Sequence, residues 1–434
     1  MKINKLISLC LYLCLGCIGA KGQVAYDTYF IHRTLRMDFS LIGNNKEQKA
    51  AIERFRQEPV WAGPTTALID PFHYGDYFVN VYDAATKNLI YSRGFNTLFG
   101  EWLLTDEAKN ETQSWGNSVV VPFPKAKIEI EITARYREDM QFHRLMRVTL
   151  DPTNIEIDRG SLKHNPIINI KYSGNPAYKV DLVFVGDGYT KAEQAKFEQD
   201  AKRFANALFN CPPFDKVKKD FNVWGVQVVS EESGVDFSGE GVYKNTALNA
   251  GFYTFGMDRY LTTRDIQAVR DAVWETPTDA VFVLVNTDRY GGGGFYNFYA
   301  LGSADNAKTA SVFVHEFGHS FAGLGDEYYY ASAGQDEFYN LQYEPWEPNI
   351  TSLKQFDKKW KDLLPEETPI PTPIGEEGEV DKLGVYEGAG YMSKGLYRPY
   401  KHCMMKDLKA FCPVCQRAIL RMVDYYTGRE VTTK

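Results

Sequence analysis

Between Gln23 and about residue 165 the chain repeats short runs in which apolar and polar positions alternate. "KIEIEITARY" is the plainest of them. Ile128, Ile130 and Ile132 fall on one side of an extended segment, and charged or polar residues fall on the other, the period of a half-buried strand. "YFVNVYDA" and "HRLMRVTLD" read the same way, and turn-forming stretches ("DPFHYGD", "AATKN", "VPFPKA") separate the runs. One segment, near Lys46 to Gln57, predicts a helix among the strands. The pattern as a whole predicts an antiparallel β-sandwich over residues 23–165, with "DRGSLKHNP" as its boundary.

From about residue 166 the pattern changes. "YKVDLVFVGDGY" is a continuous apolar run, as in a strand covered on both faces. "TKAEQAKFEQDAKRFANALF" follows, with Phe197, Ala201, Phe204 and Leu208 on one helical face and a capping box formed by Thr190 and Glu193. A strand at "NVWGVQVV", a helix at "TTRDIQAVRDAVWE", a strand at "DAVFVLVN" and a turn with an exposed strand at "RYGGGGFYNFYALGS" come next. The helix "TASVFVHEFGHSFA" and, after a loop-rich stretch, a last helix at "VCQRAILRMVDYYTG" complete the order. Alternating strands and helices predict an α/β domain over residues 166–434, so the fold class is multidomain α+β.

The first residues change where this chain is expected to work. Lys2 and Lys5 precede an apolar run, Leu6 to Ile18, too short to span a bilayer, and Ala20 and Gly22 are spaced for cleavage. Residues 1–22 read as a signal peptide, and the protein as secreted, periplasmic or held at the cell surface. The alternative is processing at Cys17, after Leu15-Gly16, which would leave an outer-membrane lipid anchor. A formal net charge of -7 argues against nucleic acid as a partner. Four cysteines lie outside the leader: Cys211, Cys403, Cys412 and Cys415. In an exported chain they are expected to form disulfides, foremost between Cys403 and Cys412. A thiolate zinc site would be unusual in that compartment.

The chemistry sits in "SVFVHEFGHSFAGLGDEYYY". On a helix, His315 and His319 project from one face and can present two imidazoles to one ion. Glu316 lies one residue round, where a general base belongs. Thr309 is expected to cap this helix and Gly323 to end it in the left-handed conformation. A catalytic zinc needs a third protein ligand and an open position. Asp326 arrives three residues after the glycine, with Glu327 beside it and Glu387 in "YEGAGY" as the distant alternative.

"HEFGHSFAGLGDEYY", "EGAGYMSKGLYRP" and "HCMMKD" resemble the IgA-peptidase-like family of secreted zinc metallopeptidases, found in gut bacteria and relatives and akin to the metzincins. The resemblance covers the whole mature chain. It implies a zincin-like catalytic domain, one Zn2+ held by His315, His319 and Asp326, and Glu316 as the catalytic base. It also implies a turn whose methionine packs beneath the imidazoles. Met405 fits that turn best, with Met404 and Met392 as alternatives. The glycine after the second histidine stands one residue later than in the metzincins, and Asp326 is correspondingly late.

The function expected is hydrolysis of polypeptide or glycoprotein substrates. The resemblance also implies an oxyanion-stabilising phenol in the region of Tyr391, Tyr397 or Tyr400. "GGGGFYNFYALGS" reads either as a flexible hairpin or as an edge strand that pairs with an extended peptide. "DEYYYASAGQDEFYN" offers aromatics to line a cleft. "VGDGY" at Asp187 and the acidic "GEEGEVD" offer oxygen ligands for Ca2+, and read equally as a strand end and a solvated loop. The competing function is a cell-surface binding protein with a β-sandwich adhesion domain and a non-catalytic metal site.

Overall fold

The computed structural model describes residues 24–330, 338–375 and 380–431. The leader, its cleavage site and Cys17 lie outside the described residues, as does most of "GEEGEVD". Among the described residues no helix is long and apolar enough to cross a membrane.

Two antiparallel sheets make the N-terminal β-rich part. Phe30–Gly43 pairs on one side with Gln48–Glu58 and on the other with Gln113–Pro124. The second sheet orders Leu89–Phe95, Tyr77–Asp83, Ile128–Arg135 and Phe142–Leu150. Leu35, Met37, Phe39 and Leu41 alternate inward from the first sheet and meet Val79, Val81, Ile130 and Ile132 from the second. This is the alternation read in "KIEIEITARY".

The helix expected near Lys46 to Gln57 is instead most of the strand Gln48–Glu58. Its Lys, Glu, Gln and Ala residues favour a helix locally, but the segment lies along a sheet edge. There it hydrogen-bonds to Phe30–Gly43 through ten register pairs. Propensity is worth a few tenths of a kcal/mol per residue, and a neighbouring strand with open backbone groups outweighs it.

The second part is built on a six-stranded sheet. Four central strands, Tyr299–Ser303, Ala280–Val285, Val180–Asp187 and Phe221–Val226, are parallel, with antiparallel strands at both edges, Gly292–Phe295 and Ile167–Lys171. All eight residues of Val180–Asp187 are buried, as the continuous apolar run requires. One face packs against the helices Gln194–Phe209, Thr309–Ala322 and Pro413–Thr427 through Leu182, Phe184, Phe204, Phe282, Phe313 and Ile419. The predicted capping box of Thr190 and Glu193 is present. The strand expected to be exposed in "GGGGFYNFYALGS" divides in two. Gly292–Phe295 is a half-buried edge, and Tyr299–Ser303 is wholly buried inside the sheet.

The other face of the sheet, with Val183, Val185, Val281 and Val283, belongs to the same apolar cluster as the N-terminal sheets. The two parts are therefore joined by a continuous core. Arg93, on a strand of the N-terminal part, is buried in that junction. It pairs with Asp70 at 3.3 Å and donates to the Tyr426 hydroxyl of the C-terminal helix at 3.1 Å. Its guanidinium lies 4.5 Å from the centre of the Tyr425 ring. Removing one member of a buried ion pair leaves the other uncompensated. Arg93→Met is therefore expected to destabilise the chain by about 3–5 kcal/mol in denaturant titrations. Adding Asp70→Asn should recover part of that loss.

Candidate metal centre

Three phenylalanines spaced four apart, Phe313, Phe317 and Phe321, anchor the helix Thr309–Ala322 in the core. Phe313 meets Phe282 at 4.7 Å, and Phe317 stacks on Phe321 at 5.0 Å. The 3.6-residue period then turns His315, Glu316 and His319 to another face. Thr309 does not cap this helix as expected. It is the first helical residue, and its hydroxyl donates to the Ser303 carbonyl, pinning the helix start to the preceding strand. Gly323 ends the helix at φ 64°, as expected.

Beyond Gly323 the chain doubles back. The Asn349 side chain, fully buried, accepts from the Gly325 N–H at 2.7 Å and donates to the Gly325 carbonyl at 2.8 Å. This clamp sets Asp326 opposite the histidines. His315 Nε2 and His319 Nε2 stand 3.1 Å apart, and Asp326 Oδ1 lies 3.2 Å from the first and 3.3 Å from the second. The other ring nitrogens are committed. His315 Nδ1–H donates to the Met404 carbonyl at 2.9 Å, and His319 Nδ1–H to the Leu324 carbonyl at 2.5 Å. In the neutral imidazoles, the form that binds a metal, both Nε2 lone pairs would therefore face the carboxylate oxygen.

This donor set suits a divalent cation. Ligands on bonds of about 2.0–2.1 Å in a tetrahedral shell stand roughly 3.3 Å apart. Asp326 Oδ1 is buried and faces both Nε2 atoms, a convergence of three donor atoms that an ion can occupy. Burial opposes charge on both sides of the pair. Even so, Asp326 raises His319 to about 9, and the imidazoles hold Asp326 far below the ordinary carboxylate range. Burial raises the Glu316 carboxyl, against the pull of His315 and His319.

The competing acids go elsewhere. Glu387 pairs with Lys394 at 2.9 Å. Glu327 turns to Asn349, at 2.9 Å, and to Cys415, at 3.2 Å. Of the candidate tyrosines, Tyr391 donates to Asp326 Oδ2 at 2.5 Å, while the Tyr400 hydroxyl donates to the Asp381 carbonyl. Tyr397 lies beside Glu387 and Lys394. Met405 is the methionine beneath the helix. A Cβ on Gly318 would stand 3.0 Å from its sulfur, whereas Met392 belongs to a separate small cluster. Tyr328, Tyr330 and Phe338 gather round Tyr391, with Tyr330 exposed, so this aromatic stretch both packs and forms rim. Asp187 stands at the end of its strand. Its two oxygens are taken by Leu248 N–H, Ala250 N–H and the Thr246 hydroxyl, which close a loop.

The glycine run has a physical reason. The edge strand Gly292–Phe295 lies directly on the site helix. A Cβ on Gly294 would come within 2.4 Å of the Glu316 carbonyl oxygen, and one on Gly292 within 3.0 Å of the Glu316 side chain. Gly294→Ala meets backbone and is expected to cost about 1–3 kcal/mol of stability in thermal melts. Gly292→Ala meets a side chain that can shift. It should leave the melting temperature nearly unchanged.

Sequence reasoning did not find Asn349, nor the half-buried pair formed by Tyr260 and Glu101 beside the edge strand. Glu101 comes from the N-terminal part. Burial raises it to about 7, and it interacts electrostatically with His319 and Asp326. A separate cavity of about 1150 Å³, lined by Trp102, Trp115, Phe255 and Arg264, contains none of the candidate ligands.

The chain matches two family patterns. That of IgA Peptidase M64 covers residues 168–382 and 374–423, more than half of the sequence. That of the Peptidase M64 N-terminus covers residues 25–146. No curated protein matches.

Proposed function

The chain belongs to the IgA Peptidase M64 family, with the family's N-terminal domain ahead of the peptidase domain, and from that premise we propose a secreted, zinc-dependent endopeptidase. Family membership makes the substrate a polypeptide. We assign residues 23–165 to the N-terminal domain, read as a β-sandwich, and residues 166–434 to a zincin-like catalytic domain. His315, His319 and Asp326 would hold the ion, and Glu316 would act as general base.

The observation that carries this reading is the triangle of Nε2, Nε2 and Oδ1 at 3.1–3.3 Å, with a carboxyl group one residue round the same helix. When bound there, zinc lowers the pKa of a water to about 7 and polarises a carbonyl. Glu316 takes the proton of the attacking water and returns it to the leaving amine. Tyr391 fixes the second oxygen of Asp326, and the Met404 and Leu324 carbonyls fix the imidazole tautomers. The edge strand Gly292–Phe295 sits beside Glu316, where an extended peptide could add to the sheet, except where Gly292 already bridges to Tyr260. The adhesion alternative leaves this convergence of donors and base without a purpose.

The test is digestion of an unfolded protein and a mixed peptide library by the purified mature chain, with chelator and after zinc is returned. Internal cuts that disappear and reappear with zinc support the reading. Release of terminal residues alone would make the enzyme an aminopeptidase. Zinc-replete protein without cleavage would favour adhesion.

A further inference from the structure

Glu327, Cys403, Cys412 and Cys415 bring four donor atoms within 4.8 Å of one another, and none belongs to the histidine centre. All four residues are buried, at 0–2% exposure. They come from three segments: the loop after the site helix, the turn beneath it, and the start of the helix Pro413–Thr427. Cys403 Sγ stands 3.7 Å from Cys415 Sγ, and Cys415 Sγ stands 3.2 Å from Glu327 Oε1. Sulfurs on zinc bonds of about 2.3 Å in a tetrahedral shell stand roughly 3.8 Å apart. The Cys412 N–H donates to Cys403 Sγ at 3.4 Å, the outer hydrogen bond that stabilises a thiolate ligand.

The disulfide expected between Cys403 and Cys412 is not what the structure holds, since all four cysteines among the described residues are free. A disulfide within the trio would use two sulfurs and leave the third beside a buried carboxylate. That carboxylate is itself unusual. Glu327 is 0% exposed, and its Oε2 has no hydrogen-bond partner. Its Oε1 accepts from Asn349 and Cys415, and Arg398 interacts with it electrostatically, but the free Oε2 in a cluster of three sulfurs is best compensated by a directly bound ion. Cys211 is half-buried, outside the cluster, and bonds the Pro212 carbonyl.

We propose that Glu327, Cys403, Cys412 and Cys415 bind a second divalent ion, zinc by the chemistry of three thiolates and one carboxylate, in a closed structural site. Each thiol gives its proton to solvent on binding. Four protein ligands leave no open position, so this ion does no hydrolysis. It holds the floor of the first site. The Glu327 N–H donates to the Met405 carbonyl at 2.8 Å, and the Met404 carbonyl, next to Cys403, receives the His315 Nδ1–H.

The experiment is elemental analysis of the full mature chain, exported by its host and purified without added metal. Wild type should carry two zinc ions per chain. His319→Ala should retain one, and Cys415→Ser should lose one while keeping the other. Cobalt introduced into His319→Ala should give near-ultraviolet thiolate-to-cobalt absorption, and the three thiols should resist alkylation until chelator is added. A folded His319→Ala chain without metal, or mass-spectrometric detection of a disulfide involving Cys403, Cys412 or Cys415, would overturn the proposal. If Cys415→Ser does not fold, the His319→Ala chain still decides it. Because the two sites share no ligand, loss of the histidine-bound ion would not be mistaken for loss of this one.

Discussion

Glu316→Gln is expected to keep its histidine-bound zinc and to hydrolyse unfolded protein about 10²–10⁴-fold more slowly. The amide matches the carboxylate in size, so the close packing against Gly292 and Gly294 is undisturbed. What it loses is the ability to take a proton from water. Burial raises the Glu316 carboxyl, against the pull of His315 and His319. The base works only when ionised, so kcat/KM in wild type should fall as pH drops through that raised value. The variant's residual rate should lack this acid limb. The decisive measurement is kcat at matched zinc content. A rate within a fewfold of wild type would mean that another group abstracts the proton.

Asp326→Ala should leave two imidazoles without their third partner and fail to retain stoichiometric zinc at that site, with hydrolysis falling to background. Glu387→Gln is the control. Its carboxylate pairs with Lys394 away from the imidazoles, and the substitution should change neither zinc content nor rate. Tyr391→Phe is expected to weaken zinc affinity roughly 10–100-fold without abolishing it, because it removes only the bond that orients Asp326 Oδ2. Competition with a chromogenic chelator reads all three variants. Full zinc retention by Asp326→Ala would move the third ligand elsewhere.

The site helix was legible in the sequence because its information is local. The three-phenylalanine stripe and the i, i+4 histidines follow from one helical period, and Gly323 marks the end. Asp326 could be named because it lies seven residues past His319, but sequence could not separate it from Glu327, whose side chain points to the cysteines. Asn349 left no local signal, and Tyr391 was named only among three tyrosines and in another role. They reach the loop from more than twenty residues downstream, and an asparagine or tyrosine in a loop-rich stretch has no pattern to betray it. The segment near Lys46 to Gln57 misled for the converse reason, since its composition speaks of a helix and its neighbour makes it a strand. The cysteines misled because sequence supplies only spacing and compartment. The fourth member of their cluster is an acid with no pattern linking it to them.

The join between the two halves bears on how the enzyme can be cut and rebuilt. Asn297, in the hairpin turn beside the site helix, donates to the Gly94 carbonyl at 2.9 Å, and the Asn96 N–H donates to the Tyr296 carbonyl at 2.8 Å. Trp346, near the Asn349 clamp, donates to Asp76 at 2.9 Å. A fragment beginning at residue 166 would lose all three bonds and expose one face of its central sheet, so expressing it alone should give insoluble material. A chimera that grafts another module onto the catalytic half would have to reproduce the Gly94–Asn96 backbone and Arg93 before it could expect a working cleft.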